Sequence, residues 1–465
     1  ALVNGDGGSD LLLFSSTVAT ASVYGGAGGD SMVFGGAISN STIDFGADSD
    51  TVTFSVAATS ATILGGAGAD TLILGDTAAA SQFVEADIRA LAGNDSIAVT
   101  GSFVSTTVRA GTGNDTLDIE GRTNAGSTAS AFYAGAGADS LEIAGNTVTV
   151  YGGSSADDTA DGADTLYVST LVTSTVYGAG GADSIELATA IQDSRIEGGA
   201  GASTVYGAGA LDAATILGGA AADSLSLTGS ATGASYFDLA GGGDTLVFGT
   251  SGVVGTSSEK ATILGGEGND TLGSGGNFDF TSLLGGAGAD SIYTTSSGDD
   301  AVSSTILGGA GNDVISFAGG ATSSSIKGEG GDDTITFAEG LSSATVGGGA
   351  GADSLVFTTG ATSSSILGGA GNDTFEFGAA LTTNSGAEFY FGSGDGSDSL
   401  FFDDAHTHSL RSGLMTIAVD SSFGATGSFV FSRDAGGTTT TITFGSGTET
   451  IFISGVHTAG AGGTG

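Results

Sequence analysis

The hexapeptide GGAGND at Gly308 to Asp313 joins three glycines of high conformational freedom to one carboxylate, and it lies between two apolar, β-like pieces, SSTIL and VISF. Phosphate-cradling loops of similar glycine content open a helix and usually carry a lysine. This one ends in an acid and is followed by a β-type run, so it repels anions. A hard cation finds carbonyl oxygens and a carboxylate together here. The acid that closes the hexapeptide recurs along the chain as Asp10, Asp30, Asp50, Asp70, Asp95, Asp115, Asp139, Asp164 and Asp183. After Ser203 it returns as Asp223, Asp244, Asp270, Asp290, Asp313, Asp333, Asp353, Asp373 and Asp398. With Asp157, which closes the first half of an interrupted loop, these are the candidate metal ligands.

Such a ladder of acids needs a repeating scaffold. The recurrence gives about 19 units of about 20 residues, the signature of a repeat architecture. Two residues after each Asp stands an apolar side chain, such as Leu12, Met32, Val52, Leu72 or Ile97, and four after it there is often a second, such as Phe34, Phe54, Phe317 or Phe337. That period of two marks a strand with one buried face. Seven residues before the Asp another apolar residue recurs, as Val23, Ile43, Ile63, Ile306 and Ile366, so a second strand leads into each loop. Each unit reads as strand, Ser/Thr/Ala turn, strand, glycine loop. Its apolar faces can be buried only against each other and against neighbouring units. The pattern therefore predicts an all-β chain, a parallel β-solenoid or β-roll over residues 1–398, with a β-rich cap or assembly region over 399–465.

Composition narrows the partners. The 465 residues carry 51 Asp plus Glu against 8 Lys plus Arg, a formal charge of -43, which argues against nucleic acid and anionic membranes. No apolar run reaches the roughly 18 residues of a membrane span. The chain lacks cysteine, so no disulfide supports it. If each of roughly 17 gaps between loops held one Ca²⁺, about 34 positive charges would offset most of that -43. Calcium is favoured over zinc by the absence of cysteine and scarcity of histidine, and over magnesium by the number of protein oxygens. No catalytic constellation stands out: HExxH and GxSxG are absent, and metal ligation already accounts for the carboxylates.

GGAGGDSMVF at Gly25 to Phe34, GGAGADTLIL at Gly65 to Leu74, GGEGNDTLGS at Gly265 to Ser274 and GGAGNDTFEF at Gly368 to Phe377 resemble the GGxGxDxUx nonapeptide of the RTX, or hemolysin-type calcium-binding, family. The resemblance covers roughly residues 1 to 400. It implies a calcium-bound parallel β-roll in a protein exported by a type I system, with a C-terminal secretion signal. By the same resemblance, the carbonyls of Gly308 to Asn312 and the Asp313 carboxylate would ligate calcium, and Ile315 would be the inward residue. Tandem nonapeptides put a calcium loop on both edges of the roll. Here the second edge carries segments such as ATSSS, Ala361 to Ser365, so calcium is expected along one edge only.

Several places break the pattern. Ser203 replaces a carboxylate in GGAGAS and reads as a tolerated substitution. The segment YGGSSADDTADGADTLYV reads as a solvated acidic bulge bearing Asp157, Asp158, Asp161 and Asp164 rather than as an extra cation site. His406, His408 and His457 lie outside the repeats and carry no site. The first unit begins at once, with Val3, Gly5 and Asp10 already in a rung, so either more chain precedes Ala1 or this end stacks on something. The functional expectation is an extracellular, calcium-dependent structural protein of the cell surface, self-associating into a filament, sheath or S-layer, with cell-surface polysaccharide as a further partner. The alternative is a calcium-stiffened adhesin stalk or ligand-binding module of a longer secreted protein.

Overall fold

A computed structural model describes residues 1–75, 82–119, 130–156, 158–159, 161–250, 254–255 and 259–377, together with the backbone of six later strands. The chain forms two compact units, Ala1–Gly229 and Ser230–Gly465. Each is a parallel β-solenoid, and no helix occurs among the described residues.

In the first unit the strand Thr62–Ala67 shows how the sequence enforces the coil. Thr62 and Leu64 face outward, whereas Ile63 is fully buried and pairs in register with Ile43 on one side and Ile88 on the other. Beyond the loop, Thr71–Leu74 buries Leu72 and Leu74 in the same way and pairs with Thr51–Phe54 and Ser96–Val99. Each fully buried aliphatic or aromatic side chain contributes about 1.5–3 kcal/mol. Because every coil repeats the pattern, identical positions stack. Phe14, Phe34 and Phe54 lie face to face with ring centroids 4.7 and 4.9 Å apart. In the second unit Phe317, Phe337 and Phe357 form a similar column, at 5.3 and 5.9 Å.

The turn edge is more ordered than the expected Ser/Thr/Ala turn. A third short strand runs through it, forming its own parallel sheet from Val18–Ala19 to Ser102–Val104 in the first unit and from Asp299–Val302 to Ala361–Thr362 in the second. Behind that strand, buried hydroxyls link the coils. Ser304 Oγ accepts the Thr281 N–H at 3.0 Å and donates to the Val302 carbonyl at 3.1 Å, and Ser324 Oγ likewise accepts the Ser304 N–H at 3.0 Å and donates to the Thr322 carbonyl at 3.0 Å.

Glu388–Tyr390, and Ser399–Phe402 at the start of the region read as a cap, continue the two parallel sheets. Further on the pairing changes. Thr416–Ala418 pairs antiparallel with Thr450–Phe452, and Ser428–Ser432 antiparallel with Thr440–Thr443.

Candidate metal centre

The glycine loop is the end of one strand turned sharply into the next. Its first three residues still belong to the ladder, as Gly65, Gly66 and Ala67 do within Thr62–Ala67. The second and fourth positions require a left-handed backbone: Gly309 has φ 127° and Gly311 φ 132°. A Cβ at either would also strike the carbonyl of the coil before it, Gly286 or Gly288. Both demands favour glycine. Several non-glycine residues at these positions keep a left-handed backbone, with Asp48 at φ 74°, Leu91 at 83° and Glu329 at 82°.

This turn delivers the closing Asp into the interior. Asp50, Asp70, Asp313 and Asp333 are only 1–2% exposed, although they stand at the edge of the coil. One oxygen of each is committed to a neighbour: the N–H of Asp30 donates to Asp50 Oδ1 at 2.7 Å, that of Asp50 to Asp70 at 2.9 Å, and that of Asp70 to Asp95 at 2.8 Å. In the second unit Asp270, Asp290, Asp313 and Asp333 donate in series to Asp290, Asp313, Asp333 and Asp353 at 2.8–2.9 Å. The other oxygen is different. Oδ2 of Asp30, Asp50, Asp70, Asp95, Asp115, Asp290, Asp313, Asp333 and Asp353 is buried with no hydrogen-bond partner.

What surrounds that oxygen is visible at Ser203, where a hydroxyl takes the place of the carboxylate. Its Oγ donates toward the carbonyls of Gly198, the first loop position, at 3.3 Å and of Gly201, the fourth, at 3.4 Å. In this loop two carbonyl acceptors face the position that Oδ2 takes elsewhere. A serine satisfies them because it has a proton to give; an ionised carboxylate has none. The two edges of the coil thus differ in one respect: the turn edge is balanced by hydroxyls, whereas at the loop edge of these Asp coils no donor faces Oδ2. Burial is the main cause that pushes the carboxyls of Asp50, Asp70, Asp95, Asp115 and Asp139 up to about 6, those of Asp183 and Asp333 to about 7 and that of Asp164 to about 8. The incoming N–H lowers each of them, and neighbouring carboxylates raise them again. An oxygen-only donor set with carboxylates one coil apart fits a hard divalent cation such as calcium.

Most sequence-identified ligands lie at this one loop position, Asp10 through Asp373. Asp157 and Asp398 fall outside the described residues, as do His406, His408 and His457. In the interrupted loop the pairing of Ser140–Asn146 with Thr165–Val172 puts Asp164 one coil beyond Asp139. Asp161 is not part of a solvated bulge: it is half-buried and lies with Asp139 and Asp164. Sequence reading also missed a second ladder at the fifth loop position. Asn94, Asn114, Asn269 and Asn312 accept, through Oδ1, the N–H of the corresponding residue in the next coil at 2.8–3.1 Å. Their recurrence immediately before the Asp was the available signal.

Ser203 keeps part of the ladder's work, since its Oγ accepts the Asp183 N–H, but at 3.4 Å. In a stack whose stability is a sum of coil and interface terms, this coil should open first. Hydrogen exchange is expected to be faster at residues 185–225 than at 333–375, and Ser203→Asp should slow it in calcium. Equal protection in the two segments, or lower protection in the variant, would count against this.

No family model fits the chain and no curated protein is significantly similar to it.

Proposed function

We propose that this chain is an extracellular structural protein of the RTX type, with calcium bound along the loop edge of a β-solenoid that polymerises at the cell surface into a filament, sheath or S-layer. The observation that carries the calcium reading is the buried, unpartnered Oδ2 repeated from coil to coil in an interior lined with carbonyls. In this reading Asp10, Asp30, Asp50 and their successors hold calcium ions between consecutive loops, with first- and fourth-position carbonyls as further donors. The cation supplies the charge that lets the coils stack. Strands that pair by the same register along the chain suit a scaffold rather than a reaction centre, and the resemblance to a secreted family supports a place outside the cell.

Self-association rests on sequence, on the exposed-edge chemistry of parallel strands and on the phenylalanines Phe401, Phe402, Phe429, Phe431, Phe444 and Phe452. Sedimentation and electron microscopy of the chain in millimolar calcium and in chelator test it. Polymers are expected in calcium, and removal of residues 399–465 should leave a calcium-loaded monomer. A complete chain that stays monomeric at high concentration in calcium would overturn the polymer and leave the adhesin stalk.

A further inference from the structure

The interrupted loop brings together something the regular loops do not have. Asp161, Gly162, Ala163 and Asp164 resume the coil after an insertion that begins at Ser154, and Gly162 packs so closely over Gly137 that a Cβ on it would strike the Gly137 carbonyl. Asp161 therefore occupies the third loop position, which is alanine in the preceding coil, Ala136. Its Oδ1 accepts the N–H of Gly162 at 2.8 Å and that of Gly137 at 3.2 Å. This fixes the carboxyl with Oδ2 turned inward.

We propose that Asp139, Asp161 and Asp164 form a single divalent-cation site that binds calcium more tightly than the repeated loops. One oxygen from each of the three carboxylates lies within 4.8 Å of the others. Opposite ligands on a calcium ion at about 2.4 Å stand about 4.8 Å apart, so one ion can reach all three. Asp139 and Asp164 are 3% and 2% exposed, and Oδ2 of all three is buried with no hydrogen-bond partner. Their Oδ1 atoms are already committed, Asp139 to the Asp115 N–H at 2.7 Å and Asp164 to the Asp139 N–H at 2.8 Å. Space is provided too: a Cβ on Gly152 would meet Asp164 Oδ2, and one on Gly153 would meet Asp161 Oδ2. A regular gap offers a carboxylate from each of two coils, whereas this one adds a third. More ligand charge in a fixed site raises calcium affinity.

The site stands without the repeated loops binding calcium, and a titration separates the two. The complete chain is stripped of metal and titrated with calcium against a chromophoric chelator, beside Asp161→Asn and the neighbouring Asp158→Asn. The expected result is one ion per chain bound at least about tenfold more tightly than the rest, lost in Asp161→Asn and kept in Asp158→Asn. Melting gives a second readout. For whatever fold persists without calcium, Asp161→Asn should melt no lower than the parent, because one of three converging charges is gone; with calcium it should gain less. A tight class unchanged in Asp161→Asn, or a variant equally destabilised with and without calcium, overturns the site. One tight ion with no further binding supports it while removing the calcium ladder; many equal ions in both chains do the reverse.

Discussion

Calcium removal at pH 7.5 is expected to abolish the β-structure of the chain. Two ionised carboxylates one strand spacing apart, about 4.8 Å, repel by roughly 3–4 kcal/mol at an effective dielectric of about 20. The loop edge stacks such groups from coil to coil, with an N–H on one oxygen only. A few uncompensated contacts of that size reach the roughly 5–15 kcal/mol by which a folded domain is stable. Bound calcium reverses the balance, since a site at a hundred times its dissociation constant contributes about 2.7 kcal/mol, and about five such sites contribute some 13. Ligand-competent loops exist only in the folded coil, so binding and folding become one event. Far-UV circular dichroism over buffered free calcium measures it: a coil spectrum should give way to a β spectrum as calcium rises. A complete β spectrum at nanomolar free calcium at this pH would sink the calcium-linked fold.

Acid should restore what calcium removal takes away. An ordinary surface-paired aspartate has its folded value lowered and loses stability as pH falls. Here the sign is opposite. The unfolded carboxyl sits near 3.8, whereas the folded values rise to about 6 at Asp50 and Asp70, about 7 at Asp183 and Asp333 and about 8 at Asp164. Below 3.8 both states hold the proton and there is no penalty. Between 3.8 and 6–8 the unfolded chain gives up protons that the folded chain retains, so the metal-free fold weakens steadily as pH rises. A proton on Oδ2 can be donated to the loop carbonyls, as the Ser203 hydroxyl is. Calcium-stripped protein should therefore regain β signal near pH 4.5 and lose it by pH 8, with calcium's effect on folding growing over that interval. For whatever fold persists without metal, the melting temperature should fall by about 10 °C or more, since a few kcal/mol in a domain of this size moves it by that much. A stripped chain more stable at pH 8 than at 4.5 would show that these carboxyls are not held as described.

The sequence alone determined the architecture because the repeat is written in spacing. A side chain two residues beyond each Asp must share a face with the one four beyond, and Ile63 must then stack on Ile43, whatever the rest of the chain does. The position of the loop acid was equally legible, since one acid recurs after one glycine pattern. Depth and direction were not. Spacing assigns Asp70 to an edge, but only the left-handed turns at Gly66 and Gly68 carry its carboxyl inside, to 1% exposure, and hold it against the preceding coil's backbone. Register across an insertion was not legible either. In YGGSSADDTADGAD both Asp157 and Asp164 close a glycine segment, and the choice of Asp164 comes from pairing Thr165 with Ser140, a hydrogen-bond ladder between coils that local order does not encode. The same pairing sets Asp161 beside Asp139, residues from different coils. Tertiary structure decides such meetings because two oxygens far apart along the chain become neighbours only when every strand between them has taken its place in the stack.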